Sequence, residues 1–434
     1  MKFIFIKSKI ARELKKRRAL IALIALFVLI YDYWSKNSKL IDKELSSEKK
    51  DSKILNCNIF IENPKSYRVN FNGSIYPKSN PLSLNKSINF DCLQKSRKIK
   101  RIFLWNAFFG DRSHGHGFGF ETPFKKLNCP VTKCELTNDL KRLDDSDLVM
   151  VHMVDSIPQI PKHRPRNQRW MFLLIESPEH TGEFSRYNGV FNYTVTYRID
   201  SDFAHSYEAD SLMYWIKNPN FDENYDFHSE KTQFAAALIS NCGGSSKRLK
   251  YIAEMQKYVK VDIFGRCGQQ CPDKYNNSQP GDCKSIIGKD FKFYLAFENS
   301  ICKDYITEKF FLMLKHNIIL VVLGGGNYEH YLPKSAYIDV NDFESPKMLA
   351  EYLIYLDSNK EAYNAYFKWK KHVSFLDNAK RFNPICNMCV QLHLEDYIGI
   401  KEKVYENIDD YWRKDACSIP EFKANGKFFY KIKN

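Results

Sequence analysis

A chain of 434 residues that is 44% hydrophobic and 15% aromatic holds enough apolar material for two packed domains, which excludes disorder throughout. Its formal charge of +15 would suggest nucleic acid only if spread over a folded face. Lys2, Lys7, Lys9, Arg12, Lys15, Lys16, Arg17 and Arg18 against Glu13 supply nearly half of that excess, so it is largely a tail and no nucleic-acid partner is expected.

The basic tail, residues 1–18, abuts ALIALIALFVLIY at 19–31, followed by Asp32, Tyr33 and Trp34. At roughly 1.5 Å per residue the run is short for a bilayer span, and a signal-peptide core or a buried helix competes. A basic flank on one side only, with no small-residue cleavage pattern after it, points to a signal anchor over 19–34 in the lipid bilayer. The chain is then a single-pass type II membrane protein with its folded part in a secretory lumen. Twelve cysteines and four N-x-Ser/Thr sequons, at Asn72, Asn85, Asn192 and Asn276, agree with that compartment. Cys129 and Cys134, with Cys386 and Cys389, could form a four-sulfur zinc site, but behind a signal anchor disulfides are the preferred reading.

Residues 35–100 are rich in Ser, Asn and Lys and read as a stem. From Ile102 strand-like runs recur: IFLWNAFF (102–109), DLVMVHMV (147–154), WMFLLIE (170–176) and YTVTYR (193–198). Helices between them are poorly marked. The pattern is clearer later, where FAAALIS (234–240), VKVDIFG (259–265), FKFYLAFE (291–298) and IILVVLG (318–324) alternate with KRLKYIAEMQKY, YITEKFFLMLKH and PKMLAEYLIYL. That alternation predicts a parallel, doubly wound α/β sheet. The expected domains are 101–225 and 226–385, followed by a C-terminal segment, 386–434.

The stretch KFYLAFENSICKDYITEKFF (292–311) reads as a buried strand with polar residues at its carboxyl end, where open parallel sheets bind ligands. With Asp304 capping a helix from Tyr305, the residues Tyr305, Glu308 and Lys309 would share one face at the positive end of a helix dipole. Lys309 could neutralise a phosphoryl oxygen and Glu308 accept from a ribose hydroxyl. An ordinary Glu–Lys surface pair is the plain alternative.

The same stretch resembles the signature of the α-1,3-fucosyltransferases, inverting enzymes that use GDP-fucose. The likeness extends over about residues 100–390 through IESP (175–178), TYRIDSD (196–202), ISN (239–241), VDIFGRCG (261–268), VVLGG (321–325), DVNDFESP (339–346) and CNMC (386–389). CPVTKCELT (129–137), SNCGG (240–244) and ENSICKDYITEKFF are most similar to invertebrate and plant members, several of which act on the N-glycan core. The resemblance implies a GT-B-like fold of two Rossmann-type domains facing a cleft, with acceptor on the first and GDP-fucose on the second. It implies that Arg248 and Lys309 hold the diphosphate, Glu308 the ribose, and Asn299 and Tyr305 the donor pocket. Glu176 would be the general base acting on a glycan acceptor, with Cys386 and Cys389 tied to Cys129 and Cys134. No cofactor is required on this reading, a divalent cation such as Mn²⁺ at most stimulating.

Physical reasoning reaches Glu176 independently, because WMFLLI reads as a buried strand whose carboxyl end would hold that carboxylate, partly desolvated, at the cleft. The alternative is a cap for the turn after Ser177-Pro178. Asp200-Ser201-Asp202 resembles a metal-binding D-x-D, and His114 with His116 could chelate, although a glycine-rich loop near the acceptor is the commoner meaning. The chain departs from the family at Ile199, where arginine is usual, at Leu320, where proline is usual, and in a shortened segment after Lys309. Those departures leave open a catalytically impaired relative acting as a glycan- or nucleotide-binding module.

Overall fold

Seven short strands build the first sheet: β1 (Lys100–Leu104), β2 (Gly119–Phe120), β3 (Cys134–Thr137), β4 (Leu148–His152), β5 (Arg169–Leu174), β6 (Tyr193–Thr196) and β7 (Phe203–Ala204). Their spatial order is β7-β6-β5-β4-β1-β3-β2, parallel throughout except for β2 against β3. Every residue of β4, β5 and β6 is buried, as expected of strands covered on both faces. This computed structural model describes residues 60–62, 69–71, 74–76, 86–204, 207, 213–271, 283–375, 384–400, 403–423 and 426–429. The tail, the apolar run at 19–34 and the sequons at Asn72, Asn85 and Asn276 lie outside those residues. Among the described residues no helix is long and apolar enough to cross a membrane.

The second sheet comprises β8 (Gln233–Leu238), β9 (Val261–Phe264), β10 (Phe291–Phe297), β11 (Ile319–Leu323) and β12 (Tyr337–Asp339), all parallel, in the order β9-β8-β10-β11-β12. This is a doubly wound order in which the winding reverses between β8 and β10, and the carboxyl ends of those two strands open the crevice where such sheets take ligands. Helices α1 (Arg248–Met255), α2 (Cys283–Asp290), α3 (Glu308–Phe311) and α4 (Pro346–Ser358) supply its cover. Residues 59–434 form one compact unit.

The first sheet's helices were hard to find in sequence because its crossovers are mostly loops and single 3₁₀ turns, such as Pro178–His180 and Ser185–Tyr187. Cover comes instead from the far end of the chain. Helix α5 (Pro384–Ile398) carries Cys386 and Cys389, which are bonded to Cys129 and Cys134. The zinc alternative therefore loses its ligands; His393 lies beside Cys134 and Cys389, but both sulfurs are used in the disulfide. Folded structure also begins before Ile102, since Asn89 caps a helix at Phe90–Gln94, and the Tyr76 hydroxyl donates to the carbonyls of Glu329 and Leu332. Part of the expected stem is thus packed sequence.

At the amino edge of the second sheet two lysines are buried with only neutral partners. Lys370 donates to the carbonyl of His316 (2.6 Å) and to Asn317 Oδ1 (3.2 Å), and Lys231 to the carbonyls of Gly288 (2.6 Å) and Lys289 (3.0 Å). Burial, with repulsion from Lys231, pushes Lys370 down to about 7, and burial pushes Lys231 down to about 8. The unfolded chain holds these protons up to the ordinary lysine range, so between these values and about 10.5 it binds more protons than the native state and stability rises with pH. Denaturant titrations from pH 7 to 9.5 should show that rise, and Lys370→Met should flatten it; an equal slope in the two proteins would locate the titration elsewhere.

Candidate active site

The site grows from the end of β10. Glu298 is fully buried and continues the sheet through its N–H to the Leu323 carbonyl (2.9 Å). Its carboxylate turns back onto Thr307, accepting from the Thr307 N–H at Oε1 (2.8 Å) and lying within 3.0 and 2.9 Å of the hydroxyl at Oε1 and Oε2. Glu298 thus does the work of an N-cap from nine residues away, because Thr307 occupies the cap position of α3 with no side-chain cap of its own.

That arrangement corrects the expected helix. Asp304 does not cap a helix at Tyr305; it has a left-handed backbone (φ 61°) and its carboxylate accepts from the Ile199 N–H (3.3 Å). The helix begins at Glu308 and is four residues long. Tyr305 therefore does not share a face with Glu308 and Lys309. Its ring is buried among first-sheet aromatics, 4.7 Å edge-on from Tyr197, and burial drives its hydroxyl pKa far up.

Lys309 reaches Thr307 Oγ1 (2.8 Å), Glu308 Oε1 (3.0 Å) and Glu298 Oε2 (3.3 Å) with its side chain 16% exposed. Burial works against its charge, but Glu298 and Glu308 together outweigh that and hold its pKa above the ordinary value. Burial is the largest single effect on Glu308 and raises it, but Lys309 and the hydrogen bonds from Thr307 and the backbone together outweigh it, so its pKa falls. Glu298 goes the other way: complete burial raises its pKa, and Lys309 only partly offsets this.

The opposite lip of the crevice is the loop after β8. Gly244 has φ +119°, and a Cβ there would stand 2.4 Å from the Asn299 carbonyl, so only glycine lets the two loops touch. Ser246 donates from N–H to the Asn299 carbonyl (3.1 Å) and from Oγ to that of Glu298 (2.7 Å). Arg248 is 2% exposed and donates to the carbonyls of Phe297 (2.8 Å) and Asn241 (2.7 Å), bracing both strand ends; burial lowers its pKa despite Glu298. Its Nε and Asn299 Oδ1 are buried without partners among the described residues.

Glu176 follows β5 and is half-buried. The turn after it is N-capped by Ser177 with no side-chain cap, and Ser177 Oγ instead donates to Ser300 Oγ (2.7 Å). That bond joins the carboxyl edge of the first sheet to the donor turn of the second, and Glu176 lies close enough to raise the Tyr305 pKa. Asp200 and Asp202 are not free for a metal: Asp200 pairs with Arg198 (2.6 Å), and Asp202 accepts from the Thr194 N–H (3.0 Å), Lys403 (2.7 Å) and Tyr405 (2.8 Å). His114 donates from Nε2 to the Asn106 carbonyl (2.8 Å) inside the glycine-rich loop. Asn192 uses its amide at both ends, accepting from the Trp170 N–H (2.9 Å) and donating to the Lys403 carbonyl (2.9 Å). At Ile199 only the main-chain N–H meets the donor turn, and Leu320 is a buried mid-strand residue of β11. Glu298 and Ser246 were not assigned roles from sequence. Glu298 stood in plain view as a carboxylate ending an apolar run, but which groups it turns back upon is a tertiary fact.

Two Rossmann-type sheets whose carboxyl edges meet at a cationic turn and a carboxylate form a GT-B-like glycosyltransferase architecture. The profile described as fucosyltransferase, N-terminal, matches residues 97–208, and that of glycosyltransferase family 10 (fucosyltransferase), C-terminal, matches residues 228–412. Glycoprotein 3-alpha-L-fucosyltransferase A of Drosophila melanogaster is 37% identical over 330 residues, 75% of this chain and 62% of that protein. Alpha-(1,3)-fucosyltransferase C of the same fly is 33% identical over 343 residues, 73% of this chain and 78% of that one. Human 4-galactosyl-N-acetylglucosaminide 3-alpha-L-fucosyltransferase FUT6 is 38% identical over 247 residues, 55% of this chain and 65% of that protein. A crystal structure of an alpha1,3-fucosyltransferase with GDP-fucose is similar at a TM-score of 0.46 and 17% identity, over 72% of this chain and 94% of that one. The two profile matches and the fly relatives decide the matter: this chain belongs to the fucosyltransferases of glycosyltransferase family 10 and is an enzyme of that family.

The donor turn is also tied covalently, since Cys302 is bonded to Cys417, and Ile301–Cys302 pairs antiparallel with Cys417–Ser418. Closing so long a loop removes much unfolded-state freedom, so the double variant Cys302→Ser/Cys417→Ser should lose about 2 to 5 kcal/mol of stability. It should also bind GDP more weakly at a temperature where it stays folded, because the turn carrying Thr307 and Lys309 is released. Unchanged GDP titration in the folded variant would mean that the tie serves stability alone.

Proposed function

We propose that the protein transfers L-fucose from GDP-β-L-fucose, with inversion, to the 3-OH of a GlcNAc on N-linked glycans. The observation that carries this reading is the Ser177–Ser300 bond, which brings Glu176 and the donor turn to one cleft. In the reaction Glu176 takes the proton from the acceptor hydroxyl as that oxygen forms a bond to the fucose anomeric carbon. The bond from that carbon to the diphosphate breaks on the opposite face, and GDP leaves as an anion. Lys309 meets the diphosphate directly; Arg248, expected to hold it alongside, is buried with its guanidinium on the Phe297 and Asn241 carbonyls and with Asn299 shapes the pocket from behind, while Glu308 receives the ribose. No metal step is needed in this sequence. The enzyme works from the lumenal side of the Golgi membrane, anchored by 19–34 and carrying glycans at Asn72, Asn85 and Asn276.

The names of the relatives divide the acceptor question, one fly protein acting on glycoprotein and the human one on 4-galactosyl-N-acetylglucosaminide. The sequence resemblance to invertebrate and plant members favours the innermost GlcNAc of the N-glycan core. Incubation with GDP-fucose and a panel of core and antennal glycans, with product linkage determined, tests it; no fucosylated product from any of them would overturn the proposal. Within that assay Glu176→Gln should cut turnover by roughly 10² to 10⁴ while leaving GDP affinity nearly unchanged. Lys309→Ala should weaken GDP binding by about 1.5 to 3 kcal/mol, the range for a charge-assisted bond. Equal GDP affinity in wild type and Lys309→Ala would move the nucleotide elsewhere.

A further inference from the structure

Glu298 poses a problem for a site meant to bind a diphosphate. It is a carboxylate with no exposed surface, placed 3.3 Å from Lys309, the cation that should meet the phosphate. An anion beside an anion-binding lysine weakens the ligand unless its charge can be removed. As a plain cap for the turn, a neutral amide would have served as well.

We propose that Glu298 is a resident stand-in for the donor's diphosphate: it holds Lys309 until the nucleotide arrives, then yields that cation and takes up a proton from solvent. The inference rests on the GDP-fucose reading and adds to it a proton that binds together with GDP and is released with it.

The surroundings allow such a change. Both carboxylate oxygens touch the Thr307 hydroxyl, at 3.0 and 2.9 Å, and Oε1 also accepts from the Thr307 N–H at 2.8 Å. After protonation at Oε2, Oε1 keeps its bond to the N–H and the new O–H donates to the Thr307 hydroxyl oxygen, whose own hydrogen turns to the neighbouring Glu308 carboxylate. No buried group is left unpaired, so the cost of neutralising Glu298 in place is small. The groups facing it are few. Arg248 comes from α1, Glu308 and Lys309 from α3, Tyr305 from the connecting loop and Tyr294 from its own strand; Tyr328 approaches from the turn after β11, next to Gly324. Of these only Arg248 and Lys309 are cationic, and Arg248 is spent on two carbonyls. When phosphate oxygens claim Lys309, Glu298 is left beside Glu308 and the incoming negative charge. Its pKa is already raised by burial, and losing Lys309, the nearer cation and the one that offsets this most, pushes it further the same way, while the charge of Arg248 stays where it is.

Isothermal titration of GDP into the whole protein at pH 7, in two buffers of different ionisation enthalpy, counts the protons exchanged. Wild type should take up between about half and one proton more than Glu298→Gln, which shares every other ionisation, including that of GDP. Wild-type GDP affinity should accordingly fall by up to about tenfold per pH unit above neutrality relative to the variant. If Glu298 only braces the turn, both proteins will exchange the same number of protons and the inference is overturned, although GDP still binds. If GDP gives no binding to wild type, the donor reading and this inference fall together. Should Glu298→Gln not fold, the wild-type count still decides, because proton release or none at pH 7 contradicts the uptake expected here.

Discussion

Two hydrogen bonds join the carboxyl edges directly, Ser177 Oγ to Ser300 Oγ (2.7 Å) and the Ile199 N–H to the Asp304 carboxylate (3.3 Å), and bonds of these kinds contribute only about 1 to 3 kcal/mol net each. What fixes the geometry of the cleft is the chain's own end. After α5 is fastened by two disulfides, residues 403–418 run along the first sheet: Tyr405 pairs with the backbone of Phe191 and Gly189, and Trp412 is fully buried with its indole N–H on Thr181 Oγ1 (3.0 Å). The same segment then joins Cys302 through Cys417, and beyond it the Pro420 carbonyl accepts from Lys247 (2.7 Å) next to α1. A strap rooted in the first domain thus ends on the two loops that frame the crevice at the carboxyl edge of the second. Tyr305 makes the complementary crossing, since it leaves the donor turn to pack with Tyr197 and Trp412. Glu176 and the turn carrying Lys309 are held in one register by burial and covalent ties, with the edge hydrogen bonds only setting the final approach.

This explains which features were legible in sequence. Strands buried on both faces announce themselves as apolar runs, so β4, β5, β8, β10 and β11 could be read directly, and their carboxyl ends led to Glu176 and to the donor turn. The start of α3 could not be read that way, because the residue satisfying the N–H of its cap residue Thr307 is Glu298 rather than anything local, and Asp304, the best local candidate, is drawn off by Ile199. Disulfide partners are equally hidden: Cys242–Cys267, Cys271–Cys283 and Cys302–Cys417 follow from which loops meet, which spacing alone does not reveal. The D-x-D at Asp200–Asp202 misleads for the converse reason. Its pattern is local, but Arg198, Lys403 and Tyr405 have taken both carboxylates for the fold.

The protein contains its own control for the electrostatics of the donor turn. Lys370 and Lys309 are both largely removed from water, yet their charges respond in opposite directions. Lys370 has a carbonyl and an amide oxygen for partners and another lysine for a neighbour, and burial brings it down to about 7, where the ammonium is half lost. Lys309 has two carboxylates, and its pKa rises instead. A lysine that must meet a phosphate in a closed crevice cannot have the surroundings of Lys370, because it would arrive there neutral. On the proposed reading, the two carboxylates beside Lys309 are what keep that cation charged for the diphosphate. The site's remaining demand is that at least one of them give way when the diphosphate comes, and the fully buried one, already inclined to hold a proton, is placed to do so.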